Sequence, residues 1–178
     1  MTQLTCDLAK HEEELDAKAN DVQTEDEPSL PINDEHKEQL GPHGLKATYE
    51  GETSKVVHCK GAMETLTIAL ATVPKQKRVS LMRMMILQIE RLASGQKMSN
   101  ENFPSEGELP NAIGQTRKKL FYALKKLPIR AYCWHSDKKQ KTWFISHYIS
   151  KDKKKLDPKD TKIVHKNWQR IEVDGDDS

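Results

Sequence analysis

The sequence predicts an α+β fold: a helical hairpin packed on a small antiparallel sheet, followed by a C-terminal helix. Three observations carry this. Apolar residues recur at helical spacing between Leu66 and Ala93 and are interrupted once, at Pro74. Residues 119–148 hold three β-favouring runs separated by short links. Asp157-Pro158 then opens a third helical pattern, giving the order strand, two helices, three strands, helix.

Each element has a local cause. Val56-Val57-His58-Cys59 is β-favouring and reads as a first strand. Leu66, Ala69, Leu70 and Val73 share a helical face that stops at Pro74, which breaks one helix and can begin the next. Along Lys75–Ala93, the residues Met82, Met85, Ile86, Ile89, Leu92 and Ala93 form a 3.6-period stripe, and Gly95 follows as a stop. Residues 96–116, with Pro104, Gly107, Pro110 and Gly114, read as a long loop. Lys119–Leu124, Ile129–Trp134 and Lys141–Tyr148 read as strands of an antiparallel meander, joined by Leu127-Pro128 and by the polar stretch His135–Gln140. Asp157 is suited to N-cap the last helix and Pro158 to its first turn, with Ile163, Val164, Trp168 and Ile171 as its apolar face.

Charge divides the chain. Residues 1–54 hold 14 acidic and 4 basic side chains, whereas 55–178 hold 13 acidic and 25 basic. Residues 1–54 therefore read as an acidic, disordered tail with a short helical pattern at Leu4–Ala19, 55–173 as the domain, and 174–178 as a second acidic tail. The acidic segment is expected either to compete with a polyanion for the basic domain or to act as an inert solubilising extension. Within 115–170, 17 Lys/Arg stand against 4 Asp/Glu, interleaved with Phe121, Tyr122, Tyr132, Trp134, Trp143, Phe144, Tyr148 and Trp168. Basic and aromatic residues at this density point to RNA or DNA. No apolar run reaches bilayer length, so no membrane partner is expected. Cys6, Cys59 and Cys133 are odd in number and far apart, which argues against a disulfide framework or a zinc site and for a reducing, cytoplasmic setting. No phosphate-binding glycine loop, dinucleotide fingerprint or metalloprotease helix is present, and neither a cofactor nor a metal is expected. Acidic residues concentrate in the tails, so paired carboxylates on structured elements are not expected.

Several stretches together resemble a known family. They are Leu127-Pro128-Ile129-Arg130-Ala131-Tyr132, then Ile145-Ser146-His147-Tyr148-Ile149-Ser150-Lys151, then Lys153-Lys154-Lys155 and the Asp157-Pro158-Lys159-Asp160 helix start. This pattern resembles the RelE/HigB/ParE superfamily of toxins, in particular its phage-derived HigB-like branch, over about 55–173. The acidic segment and the long 96–116 loop depart from it. The resemblance implies a RelE-like fold and a toxin held by an antitoxin. It further implies either an endoribonuclease cleaving messenger RNA at the ribosome (an mRNA interferase) or a non-catalytic module of the same fold, such as a gyrase inhibitor.

Metal-free RNA cleavage needs a base for the ribose 2′-hydroxyl, an acid for the leaving 5′-oxygen, and cations for the phosphate. Arg130 has the planar fork for a scissile phosphate, or else forms a salt bridge. His147 suits acid–base work, or else closes the core on the face that strand parity assigns to Trp143 and Ile145. Lys151 completes the catalytic candidates. Tyr132 and Trp134 share parity with Arg130, as a base-stacking platform or as packing beneath the C-terminal helix. Lys153, Lys154, Lys125 and Arg117 are the further RNA-binding candidates. His135, at the turn, is a weaker acid–base candidate, and Cys133 with His135 makes at most half a metal site.

Overall fold

The computed structural model describes residues 41–110, 118–151 and 155–176, all within the compact unit Lys37–Ser178. A short 3-10 turn at Pro42–Gly44 precedes strands β1 (Thr48–Glu50) and β2 (Lys55–His58). Helices α1 (Ala62–Ala71) and α2 (Lys75–Ala93) follow, then β3 (Ser105–Glu108), β4 (Leu120–Lys126), β5 (Ile129–His135) and β6 (Thr142–Ser150). Helix α3 (Pro158–Trp168) runs on into a π-helical turn at Gln169–Val173. No helix among the described residues is long and apolar enough to cross a membrane.

The six strands form one sheet in the order β1-β2-β6-β5-β4-β3. β2 and β6 are parallel, and every other pair is antiparallel. Side-chain alternation sends two sets of residues to opposite faces. Leu124, Ile129, Ala131, Cys133, Ile145 and Tyr148 pack under the α1–α2 hairpin against Leu66, Met82, Met85 and Ile89. Phe121, Ala123, Tyr132, Trp134 and Phe144 pack under α3 and its extension against Val164, Trp168 and Ile171. β5 is covered on both faces, which is why it is buried without a break from Ile129 to Trp134.

The local signals hold where they are strongest. α2 spans Lys75–Ala93, and Gly95 follows its C-cap in the left-handed conformation (φ 72°). Asp157 caps α3 by accepting from Lys159 N–H at 2.9 Å, with Pro158 in the first turn. α1 lies along the half of β6 that β2 does not reach. There Thr65 Oγ1 accepts from Tyr148 N–H at 3.0 Å, and Thr72 Oγ1 bonds Ser150 Oγ at 2.7 Å, so that stretch of strand edge is covered.

Three expectations change. The expected antiparallel meander forms as β4–β5–β6, but the sheet is larger than a meander, six strands with one parallel pair, because β2 inserts next to β6. The loop expected over 96–116 contains β3, whose polar Ser-Glu-Gly-Glu sequence has no strand period. The ordered domain reaches into the segment assigned to the acidic tail: β1 lies there, and Leu45 and Tyr49 are buried in the hairpin-side core. The Leu4–Ala19 pattern and the rest of 1–40 lie outside the described residues, as do Arg117, Lys153, Lys154 and the C-terminal Asp177 and Ser178.

Candidate functional site

At the end of the sheet where β4 turns into β5 and β6 ends, ionisable side chains gather on the α3 face. Arg130 points there because Tyr132 and Trp134, of the same parity, face α3. Lys125 is its cross-strand partner on β4.

Two β-bulges complete the set. In β6, Tyr132 pairs with His147 while Cys133 pairs with Ile145, so Ser146 is an extra residue. The bulge reverses the parity beyond it. His147 therefore leaves the Trp143–Ile145 face expected of it and stands beside Tyr132, ring centroids 5.2 Å apart. In β3, Ser105 pairs with Tyr122 and Gly107 with Phe121, which leaves Glu106 as the extra residue. Its carboxylate meets Lys125 Nζ at 2.6 Å and Arg130 Nη1 at 3.7 Å.

α3 supplies the second carboxylate. Asp160 Oδ1 lies 3.7 Å from His147 Nε2, and Oδ2 lies 3.4 Å from both Lys151 Nζ and the Tyr132 hydroxyl. Two carboxylates on structured elements thus enter the cluster as counter-ions, Glu106 beside Lys125 and Arg130 and Asp160 beside Lys151. Asn167, a residue that sequence reasoning missed, holds the β6 bulge. Its Nδ2 donates to Ser146 carbonyl oxygen at 3.2 Å and to Ser146 Oγ at 2.9 Å, satisfying groups that the bulge takes out of the ladder. Ser146 Oγ in turn bonds His147 Nδ1 at 3.0 Å. With Asn167 donating to the hydroxyl, the consistent assignment has Ser146 donate to Nδ1, leaving the Nε2 proton toward Asp160.

Burial sets the electrostatics. Arg130 is 3% exposed, His147 2% and Tyr132 0%. Removal from water holds His147 below the ordinary histidine value, opposed by the Asp160 charge and hydrogen bond. Burial, then the charges of Asp160 and Glu106, push the Tyr132 phenol well up, opposed by Arg130 and its hydrogen bond. The imidazole and the phenol are both neutral at pH 7.

Two clefts open on this end. One, of about 700 Å³, is lined by Lys151, Lys155, Leu156, Asp157 and Asp160 among others; the other, of about 730 Å³, by Glu101, Asn102, Lys125, Lys126, Leu127 and Arg130 among others. The structure therefore brings together Arg130, His147, Lys151, Lys125 and Tyr132. Trp134 shares their face but is fully buried, its Nε1 donating to Glu172 Oε1 at 3.1 Å, so neither it nor Tyr132 offers a ring to solvent. His135 sits at the opposite end of β5, against Trp143. Cys133 faces the hairpin, and no cluster of metal-ligating side chains occurs among the described residues.

These features define an α+β domain with a buried, charge-compensated cluster beside two clefts, of which the one lined by Lys125, Lys126 and Arg130 is basic. No family model matches the chain, and neither the curated proteins nor the solved structures contain a match.

Proposed function

We propose that the chain is a toxin-like, metal-independent endoribonuclease of the RelE/HigB kind. It cleaves messenger RNA at the ribosome and is held in check by an antitoxin protein. One observation carries the reading: the β6 bulge sets His147 beside Tyr132, Asp160 and Lys151, with Arg130 on the same face, next to a cleft that Lys151 and Lys155 help to line. That is a titratable imidazole and two kinds of cation, the minimum that cleavage through the 2′-hydroxyl requires.

In this reading a phosphodiester enters along Lys155 and Lys151 and replaces the carboxylates as the anionic partner of Lys151 and Arg130. The 2′-oxygen attacks the adjacent phosphorus as its proton passes to Nε2 of neutral His147, which is open to it in the tautomer where Nδ1 donates to Ser146 Oγ. The P–O5′ bond breaks and the imidazolium returns a proton to the leaving 5′-oxygen. Arg130 and Lys151 balance the charge that builds on the phosphate.

The burial of Arg130 and His147, at 3% and 2% exposure, favours a second reading: a non-catalytic nucleic-acid- or protein-binding module of the same fold, such as a gyrase inhibitor. Expression in growing cells separates the two. The nuclease reading expects translation arrest with cleaved transcripts, relieved by His147→Ala and by Arg130→Ala in variants whose circular dichroism is unchanged. Intact transcripts in wild-type cells, or loss of DNA supercoiling, would overturn it in favour of the second.

A further inference from the structure

A further concavity lies on the hairpin face, at the opposite end of the sheet from the ionic cluster. It has a volume of about 460 Å³ and is lined by Lys97, Met98, Phe103, His135, Lys141 and Trp143 among others, with no carboxylate in its lining. Its rings form a corner: His135 and Trp143 stand at 78° with centroids 5.1 Å apart, and Phe103 meets Trp143 at 70° and 5.5 Å. Tyr122 stacks on Phe103 from the sheet side at 5.0 Å, which fixes that ring in place. Lys97 and Lys141 make no ion pair with any described residue, whereas Lys125 and Lys151 are neutralised by Glu106 and Asp160.

Flat apolar walls beside two lysines without a carboxylate partner among the described residues suit one kind of ligand, a planar ring joined to an anion. We infer that this cleft binds an aromatic base carrying a phosphate, with the base against the Trp143–His135 corner and the phosphate on Lys97 and Lys141. The cavity has room for a single nucleotide and not for a duplex. Two sources share this chemistry, a free nucleoside monophosphate and an unpaired residue of a single strand. The site is independent of the cleavage proposed above, since it stands on the other face and uses none of the same side chains.

Trp143 makes the inference measurable. Of the three tryptophans, Trp134 is 0% and Trp168 3% exposed, while Trp143 is only partly buried, so a ligand in the cleft reaches Trp143. The full chain is titrated with AMP, adenosine, inorganic phosphate and a tetra-adenylate while tryptophan emission is followed. AMP is expected to quench saturably, and adenosine and phosphate to bind more weakly. Lys97→Gln combined with Lys141→Gln should weaken AMP binding by about tenfold or more, the worth of a lost charge-assisted hydrogen bond. Trp143→Phe should abolish the quenching, and His147→Ala should leave it intact. Tetra-adenylate saturating well below AMP identifies a single strand as the ligand; equal affinities identify the free nucleotide. Absence of saturable quenching by both AMP and tetra-adenylate would overturn the inference, as would quenching that survives Trp143→Phe or is indifferent to the lysine changes.

Discussion

Asp160→Asn tests the ionic cluster directly, because it removes a charge while keeping the shape. Asp160 is 8% exposed and holds Lys151 Nζ at 3.4 Å and His147 Nε2 at 3.7 Å. Without it, Lys151, whose side chain is 12% exposed, loses its carboxylate partner. Stranding a largely buried cation costs about 3–5 kcal/mol, reduced here to about 2 kcal/mol by the long contact and the residual amide dipole. The pH dependence has a defined sign. His147 titrates below its unfolded value, so between the two values the unfolded chain binds more protons and stability falls as pH falls. Asp160 opposes that shift, so its removal lowers the folded value further and steepens the loss below about pH 6.5, the unfolded histidine value. Urea unfolding at pH 8 and pH 5 reads both effects: a loss of about 2 kcal/mol at pH 8 and a larger one at pH 5. Equal stability of variant and wild type at both values would refute the claim that the carboxylate balances Lys151 and His147.

Three further outcomes are expected. His58 accepts from the Tyr148 hydroxyl at 2.6 Å and donates to Ala47 carbonyl oxygen at 3.0 Å, and burial lowers its pKa to about 4. An NMR titration of its ring should give that midpoint, and its share of stability, at most about 3 kcal/mol, should be present above pH 6.5 and drain away as pH falls toward 4. Asn167→Ala should cost about 1–2 kcal/mol in urea unfolding, since Ser146 carbonyl oxygen and Oγ both lose this donor in a buried bulge. Gly51→Ala should lower the melting temperature by several degrees, because a Cβ there would stand 2.4 Å from Ala93 carbonyl carbon and 2.7 Å from Ser94 N, backbone that cannot swing aside.

Much of the fold was legible residue by residue. Pro74 and Gly95 bracket α2, and Asp157-Pro158 starts α3, because caps and breakers act within one turn of where they stand. β3 was not legible: Ser105–Glu108 has no apolar alternation, being an edge strand whose place comes from pairing with β4. The same holds for the insertion of β2 beside β6, which is a relation between segments some ninety residues apart in register, such as His58 and Ile145.

For the site, the sequence by itself determined which chemistries were on offer: an arginine, an imidazole, a phenol and lysines on neighbouring strands. It also determined that Arg130, Tyr132 and Trp134 share a face, since period two holds along an uninterrupted strand. Tertiary structure alone decided that His147 joins them, because the extra Ser146 inverts parity and only the ladder shows where a bulge falls. It alone decided that Glu106 and Asp160 arrive as counter-ions, that Asn167 holds the bulge, and that α3 covers the rings of Tyr132 and Trp134. The physical reason is common to all of these. Periodicity and capping are written in residues one to four apart, whereas register, bulges and charge pairing across the sheet are settled only when distant segments pack.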